Sequence, residues 1–198
     1  NPTYVSLFTN IIFKLEKINS CYLKCPIIEV ILCKFDLEVN LYFLGLFGLG
    51  PNPAAALLKG RELIAIGEEE RFSRIKNAPG ALPIKSIIYC LNQANINLNK
   101  VSQISFAWDC PKFVKEQPRF LESIRKRFLF DDGGYNKLYE NRLFTMYHPK
   151  VITENLKFGL AKHGEFLDTK KLVFLNHHEC HAASAYFASG FNKSLIFT

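Results

Sequence analysis

Long apolar runs are missing from this sequence. Lys14, Glu16, Lys17, Lys24, Glu29 and Lys34 interrupt residues 1–40, and nowhere does an unbroken run reach the roughly 20 residues that a bilayer-spanning helix needs. No membrane partner is expected. Methionine is almost absent, Met146 being the only one. The sequence therefore does not open on an initiator, and the chain is expected to be a fragment or to carry a start assigned upstream of the true one. The opening residues also lack the basic start and small-residue cleavage site of a secretory leader. Cysteine is present six times, at Cys21, Cys25, Cys33, Cys90, Cys110 and Cys180, without a CxxC pair or a regular framework. A reduced, cytoplasmic setting fits that usage. Cys21 and Cys25 stand four apart with no second ligand pair at zinc-site spacing, so no zinc site is expected there. A concentrated charge of one sign is lacking too. The formal net charge is +7, but residues 1–40 and 165–198 balance, and the basic excess is spread through 41–164. Arg125, Lys126 and Arg127 form the only tight cluster. Without interleaved stacking residues it reads as a basic surface helix, and a nucleic-acid partner is not expected.

What is present is ample core material: 48% apolar residues, with 18 Phe and 8 Tyr. That content excludes a disordered chain and low-complexity repeats. Residues 1–40 show no clean period and read as an N-terminal extension without an assignable role. From residue 41 the pattern sharpens into an expected lobe over 41–198. Leu41–Phe47 reads as a buried strand, Gly48–Pro53 as a turn and Ala54–Leu58 as a second strand. Lys59-Gly60-Arg61 then turns into a third strand over Glu62–Gly67, giving a three-stranded meander. Pro83 fits a first helical turn, with Ile84, Ile87, Ile88 and Leu91 at helical spacing through about Ala94. A strand over Ser102–Trp108, ending on Asp109, precedes a helix from about Lys112 to Phe128. Asp131-Asp132-Gly133-Gly134 reads as a loop. A helix over about Pro149–Lys162, a strand over Leu172–Leu175, a helix over about Glu179–Ala188 and a last strand from Ser194 complete an α/β order.

The densest chemistry is Asn176-His177-His178-Glu179-Cys180-His181. Residues four apart share a helix face, so His177 and His181 are placed to aim two imidazoles at one divalent ion such as iron, zinc or manganese. The spacing alone also fits two surface histidines. Arrival straight from an apolar strand favours the metal, because ligands gather at strand ends in α/β folds. The zincin order HExxH is not met.

Two longer blocks carry a family resemblance. Ala54-Ala55-Ala56-Leu57-Leu58 through Gly67-Glu68-Glu69-Glu70-Arg71-Phe72-Ser73-Arg74-Ile75-Lys76, with His177-His178-Glu179-Cys180-His181-Ala182-Ala183-Ser184-Ala185-Tyr186, resembles the O-carbamoyltransferases of nodulation-factor and antibiotic biosynthesis. Phe106-Ala107-Trp108-Asp109 followed by Pro111 resembles the tobramycin-type branch. The resemblance covers about residues 42–198. It implies one lobe of an actin-like ATPase (ribonuclease H-like) fold, here truncated, similar to the threonylcarbamoyl-transfer proteins of tRNA modification. A second domain, which would make carbamoyl-adenylate from carbamoyl phosphate and ATP, is implied but lies outside this sequence.

By position, the resemblance implies that His177 and His181 are the metal-binding pair, with iron the implied ion and a third, acidic ligand in a DG-type loop after the strand that starts near Ser194. Lys76 matches a basic active-site residue suited to a phosphate or carbonyl oxygen. Asp109 matches an acidic position near the carbamoyl acceptor, and it also fits a helix-capping Asp. One departure is plain. Pro51-Asn52-Pro53 stands where a His-Asp pair is usual, and proline cannot ionise or relay a proton. The expected function is carbamoyl transfer to a hydroxyl of a small sugar-bearing metabolite, this chain alone being inactive. A tRNA threonylcarbamoylation protein and a non-catalytic remnant are the alternatives.

Overall fold

The computed structural model of the chain describes residues 40–60, 62–127 and 145–189. The extension before Asn40, the Asp131–Gly134 loop and the strand expected from Ser194 lie outside them, as do the side chains of Arg125, Lys126 and Arg127.

Three strands in succession build the first half of a five-stranded sheet: β1 (Tyr42–Phe47), β2 (Ala54–Lys59) and β3 (Glu62–Glu68). They pair antiparallel as the expected meander, Phe47 opposite Ala54 and Ala54 opposite Glu68. β2 is buried from Ala54 through Leu58, which is why it reads as a continuous apolar run without alternation. A short helix, α1 (Glu69–Ser73), follows β3 directly, and α2 (Ile84–Ala94) comes after a loop. The inward thiol of Cys90 on α2 lies 3.5 Å from the Ala55 carbonyl of β2 and 3.7 Å from that of Ala65 on β3, so this helix covers the meander.

The second half of the sheet is parallel. β4 (Val101–Phe106) pairs with β1, and β5 (Leu172–Phe174) pairs with β4, giving the order β3-β2-β1-β4-β5. Between them run α3 (Cys110–Arg127) and α4 (Pro149–Ala161), and α5 (His177–Ser189) follows β5. The α/β class and the meander followed by alternating helices and strands are as expected of the actin-like lobe. Ile152, Leu156 and Leu160 of α4 are buried in the same core as Ile87 and Leu91 of α2. The two helices meet at Gly159, where a Cβ would stand 2.7 Å from the Ile84 side chain. At the far edge of the sheet, Lys171 Nζ donates to the carbonyls of Asn99 (2.8 Å) and Val101 (2.7 Å), and Glu165 accepts from Leu98 N–H at 2.8 Å. These bonds fix where β4 and β5 begin.

Several boundaries differ from expectation for local reasons. β4 stops at Phe106: Ala107 N–H still donates to the Leu46 carbonyl at 2.9 Å, but Trp108 N–H turns back onto the Phe106 carbonyl at 2.9 Å, and the Trp108 indole donates to the Gly48 carbonyl at 3.2 Å. α5 begins at His177, two residues earlier than expected, because Asn176 Oδ1 accepts from the N–H groups of His178 (2.9 Å) and Glu179 (3.3 Å). Pro83 is the residue before α2, not part of its first turn. α1 has no counterpart among the elements expected from the pattern.

No helix among the described residues is long and apolar enough to cross a membrane. The described thiols, Cys90, Cys110 and Cys180, are free and buried. Burial pushes their pKa values up to about 12, about 12 and about 11. A thiolate is therefore disfavoured in the native state, and the sign follows: the contribution to stability is intact below the ordinary thiol range of about 8.5 and is lost as pH rises through the native values. Native protein treated with iodoacetamide near pH 8 is expected to leave these three residues unmodified in peptide mapping, while urea-unfolded protein is alkylated at all of them. Rapid native labelling of any of the three would contradict this burial.

Candidate metal and substrate site at the sheet edge

Parallel strands place their C-terminal ends at one edge, and in open α/β sheets that edge is where ligands bind. Here β1, β4 and β5 end there, and the antiparallel pairing brings the start of β2 and the end of β3 to the same edge. All four residues singled out from the sequence follow strands that end on it. His177 and His181 come after β5, Asp109 after β4, and Lys76 after β3 and α1.

The histidine pair is the best-built part. Once Asn176 has started α5, His177 and His181 stand one turn apart, and their Nε2 atoms converge to 2.9 Å. His177 Nδ1 lies 3.0 Å from the Ala107 carbonyl. A carbonyl only accepts, so that network assigns the proton to Nδ1 and leaves the Nε2 lone pair facing His181. Burial lowers the His177 pKa, the Ala107 carbonyl opposes that shift, and the neighbouring His181 and His178 add to the lowering. The ring is thus held neutral, as a ligand must be. It lies flat on the Trp108 indole, with ring centres 4.1 Å apart and planes within 11°.

Two converging imidazoles, one with its second nitrogen anchored to a carbonyl, are donors of the kind a divalent transition-metal ion takes. The residues present therefore fit a divalent ion. Among the described residues no third His, Cys, Asp or Glu joins them. Cys180, on the same inward side of α5, packs with Phe47, Ala56 and Ala107 and keeps its proton.

Asp109 is a helix cap. Its Oδ1 accepts from Lys112 N–H at 3.0 Å at the start of α3. Lys76 is 84% exposed, with Nζ 3.5 Å from Glu70 Oε2. Its loop is laced to the Pro51-Asn52-Pro53 turn: Asn52 N–H donates to the Asn77 carbonyl (2.8 Å), Leu49 N–H to Ala81 (2.9 Å) and Gly80 N–H to Gly50 (3.3 Å). Leu49, Asn52, Arg74, Asn77 and Ala78 all have positive φ. Strained backbone of that kind is held only where the surroundings over-determine it.

The holders are two glutamates that lie in a family block and to which the sequence pattern gives no role. Glu70, largely buried, accepts from Asn77 N–H at 2.7 Å. That bond, aided by the Lys76 and Arg71 charges, lowers its pKa against the opposing effect of burial. Glu69, 5% exposed, reaches across to the first turn of α2. Its Oε2 accepts from Ser86 N–H (3.0 Å) and Ser86 Oγ–H (2.9 Å), and its Oε1 from Lys85 N–H (3.3 Å). The acidic run Glu68–Glu70 was the available signal; the partner of Glu69, 17 residues on, was not.

A family model described as Carbamoyltransferase N-terminus matches residues 45–198. The chain belongs to the carbamoyltransferase family. The chain is also similar to curated proteins. The chain is 30% identical over 157 residues to the uncharacterised protein sll1178 of Synechocystis sp., covering 78% of this chain and 24% of that one. It is 32% identical over 146 residues to the nodulation protein NolNO of Sinorhizobium fredii, covering 73% and 18%. A 19.2 kDa protein of Rhizobium etli matches at 42% over 55 residues, 28% of this chain and 32% of that one. This carbamoyltransferase-family chain thus spans about a quarter or less of the two long relatives. The matched span starts inside β1 and takes in Glu69, Glu70, Lys76, Asp109, His177 and His181.

Proposed function

We propose that the complete enzyme transfers a carbamoyl group from carbamoyl phosphate, by way of carbamoyl-adenylate, to a hydroxyl of a sugar-bearing metabolite, and that this chain supplies the lobe in which transfer takes place. One observation carries the reading: the carbamoyltransferase match spans residues 45–198 and includes the converging His177 and His181. In the first half-reaction, carbamoyl phosphate, water and ATP would yield carbamoyl-adenylate, phosphate and pyrophosphate in the second domain. In the second, the acceptor oxygen forms a bond to the carbamoyl carbon, the bond to the AMP phosphate oxygen breaks, and the hydroxyl proton leaves to solvent. A divalent ion held by His177 and His181, iron by resemblance, would polarise the carbamoyl carbonyl or hold the nucleotide phosphate.

The chain's own groups take the remaining roles. Lys76, exposed beside Glu70, offers an ammonium to a phosphate or carbonyl oxygen. Asp109 holds the acceptor's hydroxyl or amine while its Oδ1 keeps α3 capped. The free thiols support a cytoplasmic enzyme.

The test is carbamoyl transfer and pyrophosphate release by the complete enzyme, wild type and Asp109→Asn. Asparagine caps a helix as well as aspartate does, so the fold is retained. Loss of a charge-assisted hydrogen bond, about 1.5–3 kcal/mol, should weaken a cationic aminosugar acceptor about ten- to a hundredfold. A neutral sugar should lose much less, and pyrophosphate release should not change. Absence of any carbamoylated product from the wild type would sink the function. A parallel fall in both assays would make Asp109 purely structural.

A further inference from the structure

We infer that Trp108 is a positioning residue for His177, fixing the plane of the imidazole so that its Nε2 meets that of His181. The inference rests on the reading of the two histidines as a metal pair. Neighbouring residues hold the His177 ring in different ways. The Ala107 carbonyl takes Nδ1 at 3.0 Å, which sets the tautomer and the rotation of the ring within its plane. The Trp108 indole lies parallel at 4.1 Å, which sets the plane itself. Phe47 is also stacked, at 5.9 Å from the imidazole and 6.2 Å from the indole.

The indole is in turn immobilised from two directions. Its Nε1–H donates to the Gly48 carbonyl at 3.2 Å, and Tyr147, just before α4, meets it edge-on at 5.7 Å. Phe113 of α3 backs Tyr147 at 5.5 Å. The imidazole orientation is thereby referred to β1, β4 and the approach to α4, not to α5 alone. A histidine in the first turn of a helix would otherwise exchange among staggered rotamers, and each exchange would carry Nε2 away from His181. Partners of this outer kind typically change metal affinity by about 10–100-fold when removed.

Trp108 is also the only tryptophan in the sequence. With the His177 ring stacked on it, its fluorescence reports directly on an ion at the pair.

The experiment uses the full chain and Co2+ as the probe. Equilibrium dialysis gives the affinity, the visible absorption of bound Co2+ gives the ligand geometry, and far-UV circular dichroism checks the fold. Wild type is expected to bind with quenching of the indole emission. Trp108→Leu, which keeps apolar bulk without a stacking plane, is expected to bind about 10–100-fold more weakly with an altered Co2+ spectrum. Trp108→Phe, which restores a stacking ring, is expected to return to within a few-fold of wild type. Equal affinity and an equal spectrum in wild type and Trp108→Leu would overturn the positioning role while leaving the metal pair standing. No Co2+ binding by wild type would overturn the metal pair and this inference with it. If Trp108→Phe loses its secondary structure, Trp108 is a core residue only, and the inference falls.

Discussion

His177→Ala and His181→Ala are each expected to strip the metal from the complete enzyme. Each removes one imidazole of a converging pair whose Nε2 atoms lie 2.9 Å apart, and an ion held by a small ligand set does not survive loss of a direct ligand. The drop in affinity should exceed the roughly hundredfold that marks loss of an outer partner. His178→Ala is the matched control, since His178 stands edge-on to His177 at 6.2 Å and outside the converging pair. Metal content per chain, measured by elemental analysis on purified wild type and the three variants, should be full, absent, absent and full. Equal occupancy in all four would show that the pair holds no ion.

Glu69→Ala is expected to be the most destabilising single change among the charged residues of the lobe. The carboxylate is buried and accepts from Ser86 N–H, Ser86 Oγ–H and Lys85 N–H, closing the first turn of α2 from another helix. Alanine would leave the donors of Ser86, itself fully buried, without a partner, at about 1–3 kcal/mol for each buried donor. A loss of about 3 kcal/mol in a chain of this size lowers Tm by about 6–12 °C. Glu69→Gln keeps the shape and one carbonyl acceptor, so it should lie between. Thermal denaturation of the three proteins decides, and an alanine variant that melts with wild type would mean that the cap contributes nothing.

Much of the sheet is legible in the amino-acid sequence alone. Ala54–Leu58 is a run too apolar and too short to be anything but a buried strand between tight turns, and Lys59-Gly60-Arg61 marks the hairpin. Helices with a clear apolar stripe, such as that of Ile84, Ile87, Ile88 and Leu91, are legible for the same reason. α1 is not, because five residues cannot show a helical period and its anchoring partners lie far along the chain. The histidine spacing is legible as one helix face. What orients it is not: the Ala107 carbonyl is 70 residues away, and no periodicity records a ring stacked across the end of a sheet. The capping use of Asp109 is visible as an Asp before a helix. The lacing of the Pro51-Asn52-Pro53 turn to the Lys76 loop depends on backbone bonds made by the positive-φ residues Leu49, Asn52, Asn77 and Gly80, which side-chain patterns do not encode.

The mixed pairing of the sheet has a consequence for the order in which the lobe assembles. The meander closes over short hairpins, whereas β1 with β4 and β4 with β5 are joined only across long stretches of chain, as the pairing of Ile104 with Leu172 shows. Long loops carry a closure entropy that local contacts must first offset, and parallel pairing is accordingly slow. The meander is also the first part of the lobe to leave the ribosome. It contributes neither histidine, so a folding species with β1–β3 in place still has no site. Both imidazoles ride on α5, but His177 meets the Ala107 carbonyl and the Trp108 ring only once β5 has docked on β4, so the orientation of the pair belongs to a late step of folding.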